Sequence, residues 1–128
     1  MSRDMLDLTE AEWKLLECLW EYSPRTGRET VDYMSAHVGW TRSTTLTMLR
    51  RMTEKGLICC DESGAVLAYS PLVHREEAVQ RETRSFIDRV YKGSVSLLVN
   101  NLSQKQKLSR EDIEELYAIL KKAEEENR

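Results

Sequence analysis

The sequence predicts a mainly α-helical chain with one small β-hairpin, and three observations carry that expectation. Capped segments with helical periodicity occupy residues 9–55, the apolar period changes after Gly56, and helical spacing returns from residue 74 onward. At 128 residues the chain has room for one domain, or for one small domain with an extension. The division expected on this basis is 1–73 and 74–128.

In the first segment, "LTEAEW", Thr9 and Glu12 form a T-x-x-E capping box, with Leu8 and Trp13 at the two staple positions. Trp13, Leu16, Leu19 and Trp20 follow at helical spacing to about Tyr22, and Pro24 ends the helix. "TGRE", residues 26–29, is a second capping box. It opens a helix that turns Val31 and Met34 inward and stops near Gly39. Thr41 caps a third helix from about Arg42 to Lys55, with Gly56 just past its end. Three short helices joined by tight turns begin a helix-turn-helix domain. "GLICCDESGAVLAYSPL" then contains two apolar runs, 57–60 and 65–69, around the turn-forming Asp61-Glu62-Ser63-Gly64, with Pro71 closing the pair. Helices followed by such a hairpin make a winged helix-turn-helix.

Residues 74–128 return to helix. A long helix from about Arg75 to Lys92 carries Val79, Phe86 and Val90 on one face, with Tyr91 at its end. A short one after Gly93 contains Val95, Leu97, Leu98 and Val99, and is apolar on all sides. A third has Leu108 as its staple residue and Ser109 as its cap, then spaces Ile113, Leu116, Tyr117 and Leu120. Three helices in about 50 residues bury too little surface to be stable alone, so pairing with a second copy is expected and this half reads as a dimerisation region.

The bulk numbers narrow the function. No apolar run approaches the ~20 residues needed to span a bilayer, and "MSRDMLDLTE" lacks the pattern of a signal peptide. Three cysteines, an odd number without CxxC or CxC spacing, favour neither a disulfide framework nor a metal site, and a cytoplasmic location is expected. The net charge of −3 argues against a generally basic protein, but its distribution is uneven. Arg25, Arg28, Arg42, Arg50, Arg51 and Lys55 stand against Glu29, Asp32 and Glu54 between residues 25 and 59, a local balance of +3. Residues 1–24 carry the opposite bias.

The third helix holds the most informative stretch. "TRSTTLTMLRR", residues 41–51, contains four threonines and three arginines, although β-branched threonine is a poor helix former. At 100° per residue, Thr45, Met48, Leu49 and Met52 share the side a core would take. The opposite side shows Ser43, Leu46, Thr47, Arg50 and Arg51, with Thr44 at its margin and Thr41 and Arg42 at the helix start. Short hydroxyl side chains let a helix lie deep in the major groove, where hydroxyls bond phosphates or base edges. Methyl groups there meet thymine, and arginine bridges guanine or grips phosphate. The bland alternative is a solvated basic face. Its position as third helix, directly before a hairpin, favours DNA reading. The wing tip, Asp61-Glu62, should be repelled by phosphate.

Other residues invite chemistry and support it poorly. Cys59 and Cys60 are adjacent in the first wing strand, so their side chains leave on opposite faces and are read as buried or half-buried structural residues. Cys18 is read as packing. His37 and His74 lack partners at ligand spacing, and Trp13, Trp20 and Trp40 sit at core or staple positions. Nothing supplies the nucleophile, base and orienting group of an enzyme, so neither catalysis nor a cofactor is expected. A winged helix serving only protein–protein assembly is the competing function. It would have no need of Arg50, Arg51 and the hydroxyl row.

Four stretches, "LTEAEWKLLECLW", "WTRSTTLTMLRRMTEKGLI", "LAYSPLV" and "FIDRVYKGSVSLLVNNLSQKQKLSREDIEELYAIL", occur in order, and with them residues 6 to about 122 resemble the BlaI/MecI/CopY family of bacterial transcriptional repressors. The resemblance implies a homodimer with winged helices on DNA and interlocked C-terminal helices. It also implies an inverted-repeat operator with TACA/TGTA half-sites, in promoters for β-lactam resistance or copper handling. It assigns base and phosphate contacts to Ser43, Thr44, Leu46, Thr47 and Arg51. Leu46 departs from the basic residue often found there, so altered or weaker readout is expected at that base. The copper-responsive branch carries a CxC tail, whereas this sequence reads "KKAEEENR" at its end, so metal relief is not expected. The β-lactam branch is relieved by proteolysis triggered by a membrane sensor-protease. The matching stretch here, "LVNNLS", points to the Asn100–Asn101 bond, or else to Asn101–Leu102. The second asparagine and the following "SQKQK" depart from the family pattern.

Overall fold

The computed structural model describes residues 7–105 and 108–128. The elements in chain order are α1 (Glu10–Glu21), β1 (Arg25–Thr26), α2 (Gly27–His37), α3 (Arg42–Lys55), β2 (Ile58–Asp61), β3 (Ala68–Pro71), α4 (Arg75–Tyr91), α5 (Val95–Lys105) and α6 (Arg110–Glu126). The chain forms two compact units, Met1–Thr83 and Arg84–Arg128. The first continues past residue 73 because Ala78, in the opening turns of α4, is buried in its core.

That core shows why the helices start where they do. Thr9 accepts a hydrogen bond from the Glu12 amide at 3.1 Å, and the Glu12 carboxylate accepts one from the Thr9 amide at 2.9 Å. Two of the orphan donors at the start of α1 are thereby satisfied. Thr26 and Glu29 repeat the arrangement at α2. From α1 come Leu15, Leu16, Cys18 and Leu19, from α2 Met34, and from α3 Leu49 and Met52. Leu57, Ile58 and Val73 close the cluster from the hairpin side. Gly56 ends α3 at φ 85°, a left-handed conformation that glycine adopts without strain. Lys55 Nζ reaches Glu12 at 2.7 Å and ties the end of α3 to the start of α1. The Trp20 indole donates to the Val73 carbonyl at 2.8 Å and holds α1 to the segment after the wing.

The sheet has three antiparallel strands in the order β1-β3-β2, which completes a winged helix. Two details differ from the expectation. Strand β1 is only two residues long, too short to show a period. The second wing strand covers Ala68–Pro71 rather than 65–69, with Asp61 opposite Ala68 and Ile58 opposite Pro71. The Asp61 carboxylate accepts bonds from both the amide and the hydroxyl of Ser63, which turns the chain at the expected place, but the return strand starts only at Ala68 and leaves 62–67 as the wing loop. Pro71 is tolerated in the central strand because β1 pairs only with Ala68 and Tyr69, so no partner there needs an amide from residue 71.

In the second unit, α4 ends at Tyr91. Lys92 (φ 55°) and Gly93 (φ 84°) turn the chain into α5. Ser109 caps α6 with Asp112 in a third capping box. The Asn101 amide donates to the Tyr91 hydroxyl at 2.8 Å, and the Phe86 and Tyr91 rings meet edge to face at 5.8 Å. Among the described residues of this unit, Ile87 is the buried apolar side chain, and most of the others face outward.

Candidate nucleic-acid interface

Helix α3 divides as its periodicity predicts. Thr45, Leu49 and Met52 are buried and Met48 is half-buried. Arg42, Ser43, Thr44, Leu46, Arg50 and Arg51 are exposed, and Thr47 is half-buried. The threonines divide the work between them. Thr41 caps the helix, accepting from the Thr44 amide at 3.1 Å, and its hydroxyl donates to the Thr44 hydroxyl at 3.1 Å. Thr45 is fully buried and donates back to the Thr41 carbonyl, which removes the cost of an unpaired hydroxyl in the core. Thr44 keeps its own hydroxyl hydrogen for an outside acceptor. The threonine content of this helix therefore has two causes, one structural and one facing solvent.

Charge is divided in the same way. Arg25 pairs with Glu21 at 3.7 Å, bonds the Cys18 carbonyl and stacks over the rings of Tyr22 and Tyr33. Lys55 serves Glu12, and Arg50 meets Glu54 at 3.7 Å on the surface. Arg28, Arg42 and Arg51 remain without a carboxylate partner among the described residues. Of the six basic residues counted in the sequence, two are thus committed to holding the fold and three are left open, at the start of α2 and along α3. The acidic wing tip stays charged: the bonds from Ser63 hold the Asp61 carboxyl below its usual range.

Next to α3 lies a groove of about 650 Å³ lined by Thr26, Gly27, Arg28, Arg42, Leu46 and the wing residues Val66, Leu67 and Tyr69. Leu46, 38% exposed, forms part of its floor, so its methyl groups are shared between the outer face of α3 and this groove. In the sequence Arg28 counts in the basic stretch without being marked as a contact residue, and neither Val66 nor Leu67 is marked as part of a site. Arg28 lies inside the Thr26–Glu29 capping box and looks like an ordinary solvated first-turn residue, and Val66 and Leu67 look like strand core. Only the start of the return strand at Ala68, later than expected, leaves these two exposed.

The remaining sequence candidates fall as follows. Cys59 is exposed, not buried, because β2 turns Ile58 inward and alternation points its neighbour out. Cys60 is half-buried beside Tyr69. Cys18 is fully buried, and desolvation pushes its thiol up to about 11. Phe86, Val90, Val95, Leu97, Val99, Ile113 and Leu120 are exposed in the single chain, while Tyr91, Leu98 and Leu116 are half-buried. Tyr117 and Ile119 extend the exposed apolar set on α6. Asn100 and Asn101 are exposed inside α5 rather than in a loop. Among the described residues no helix is long and apolar enough to cross a membrane.

Residues 8–122 match the family model described as penicillinase repressor. The chain belongs to this family. Within the penicillinase-repressor family it is 31% identical over 113 residues to the penicillinase repressor of Bacillus licheniformis, covering 88% of each chain. It is 28% identical over 122 residues to the methicillin resistance regulatory protein MecI of Staphylococcus aureus, covering 95% of this chain and 99% of that one. Among solved structures, the monomeric form of Bacillus licheniformis BlaI in complex with the blaP half-operator superimposes with a TM-score of 0.51 at 25% identity. That match covers 56% of this chain and 87% of the other. The DNA-binding domain of BlaI alone gives the same score over 57% and 89%. Penicillinase-repressor membership and the winged-helix fold are thus reached independently, one by sequence and one by shape.

Proposed function

We propose that this chain is a transcriptional repressor that binds an inverted-repeat operator of TACA/TGTA type as a homodimer, reading the major groove with α3. The observation that carries the reading is the outer face of α3: Ser43, Thr44, Leu46, Thr47, Arg50 and Arg51 stand on a helix whose inner face is locked into the core. A rigid helix of that kind presents hydroxyls and guanidiniums to base edges and phosphates without having to order itself first. Family membership and the BlaI half-operator complex support the same reading. One helix in one groove touches few bases, so a dimer is needed to double the contacts and set half-site spacing. The exposed apolar residues of α5 and α6 are consistent with that second copy.

Repression then follows from occupancy of the promoter. Relief by cutting at Asn100–Asn101, or else at Asn101–Leu102, through a membrane sensor-protease, would remove α6 from the dimer and lower operator affinity without touching α3. Because either bond lies in a helix, cleavage requires α5 to open locally first. Mass spectrometry of the chain from induced cells is expected to show two fragments. Intact protein alongside lifted repression would remove this step from the mechanism.

The primary test is titration of the full chain against a palindromic TACA/TGTA duplex and a scrambled duplex at two salt concentrations. Tight, salt-dependent binding with strong preference for the palindrome is expected. Equal, weak binding to both duplexes would overturn sequence-specific repression at this operator and favour the assembly role.

A further inference from the structure

The groove beside α3 combines cations with apolar surface. Arg28 and Arg42 line it together with Leu46, Tyr69 and the wing residues Val66 and Leu67. The acidic residues of the wing, Asp61 and Glu62, are absent from the lining. The wing faces the groove instead with Val66, 62% exposed, and Leu67, 47% exposed. Arg28 and Arg42 have no carboxylate partner among the described residues, whereas Arg25, Lys55 and Arg75 of the same unit are each paired. Such guanidiniums beside neutral apolar surface complement a strand that is anionic along its phosphates and apolar along its sugars.

We propose that this groove seats one strand of the operator backbone, with Arg28 and Arg42 on its phosphates and Val66 and Leu67 against its sugars. This rests on the proposed DNA-binding function and adds a division of labour to it. In this chain the wing supplies contact surface without charge, and the start of α2 supplies the charge that a basic wing would otherwise carry. Arg28 is a positioning residue: it fixes register on the backbone and reads no base. A Cβ at Gly27 would stand 3.9 Å from Leu46 and Tyr69, in ordinary contact, so the fold does not require glycine beside the groove.

The test is the salt dependence of operator binding by the full-length protein, wild type against Arg28→Ala, on the palindromic and scrambled duplexes. Arg28 is exposed and its loss should leave the thermal midpoint unchanged. Expected is a loss of affinity that is equal on both duplexes, with the slope of log K against log salt reduced by about one unit per half-site. Arg28→Lys should restore the slope. Val66→Asp should weaken binding on both duplexes through repulsion. A slope and affinity unchanged in Arg28→Ala, while wild type still prefers the palindrome, would overturn the backbone groove, whatever other anion then occupies it, and leave α3 as the reader. Loss of palindrome preference in the wild type would instead overturn the parent function, and this inference with it.

Discussion

Two residues illustrate how much a single side chain decides. Arg51 is exposed, without a carboxylate partner among the described residues, and on the outer face of α3, so Arg51→Ala should weaken operator binding by about 1–3 kcal/mol and leave folding intact. Unchanged affinity in a duplex titration would remove Arg51 from the interface. Cys18 acts on stability. Burial holds its thiol neutral and raises its pKa from 9.0 to about 11, more than the nearby Arg25 lowers it. Below pH 9 the thiol is protonated in both states. Between about 9 and 11 only the unfolded chain ionises, so unfolding releases a proton and stability falls as pH rises. The fall from this group should be roughly 2 kcal/mol, read as the difference in pH dependence between wild type and Cys18→Ala in denaturant unfolding. Parallel curves for the two would show that the thiol does not contribute.

At the scale of elements, what matters is how α3 is anchored. Its N-terminus is capped by Thr41 without help from an acidic residue, whereas α1, α2 and α6 each have a full capping box. An acid in that first turn would stabilise the helix through its dipole, yet it would also stand where phosphate is expected. The other end is held by the Lys55–Glu12 pair, in which Glu12 is buried and also caps α1. Lys55→Ala leaves one carboxylate oxygen without its charged donor and should cost about 1 kcal/mol, since Lys55 itself is partly solvated. Combined with Glu12→Gln the loss should be less than the sum of the two single losses, because the pair acts as one unit. Additive losses would mean that the tie does not couple α1 to α3.

For the whole molecule, the apolar residues that the second unit leaves in solvent are the central fact. Leu120 is 64% exposed and Tyr117 71%, on a helix with no buried residue of its own. If the proposed homodimer forms through this face, Leu120→Asp should leave the first unit folded but shift the protein to monomers in sedimentation, with a large loss of palindrome affinity. A variant that stays dimeric would place the interface elsewhere. In the proposed dimer, operator binding would depend on protein concentration, since one short helix would read each half-site.

The reach of the sequence has a physical limit. Capping boxes at Thr9, Thr26 and Ser109, the glycine at 56 and the two-sided pattern of α3 are local chemistry, set by neighbours three or four residues away, and the sequence alone determined them. The outer row of α3 was legible for the same reason: a helix turns every residue by a known angle. Tertiary structure alone decided that Lys55 is used up by the fold, because it finds Glu12 only after α1 and α3 pack, whereas Arg25 is held by the nearby Glu21 and Cys18 carbonyl. It also decided the strand bounds of the wing, where the return strand starts only at Ala68 and leaves Val66 and Leu67 in solvent. The groove that joins them to Arg28 depends on residues some forty positions apart in the chain. No periodicity connects such residues; only packing brings them together.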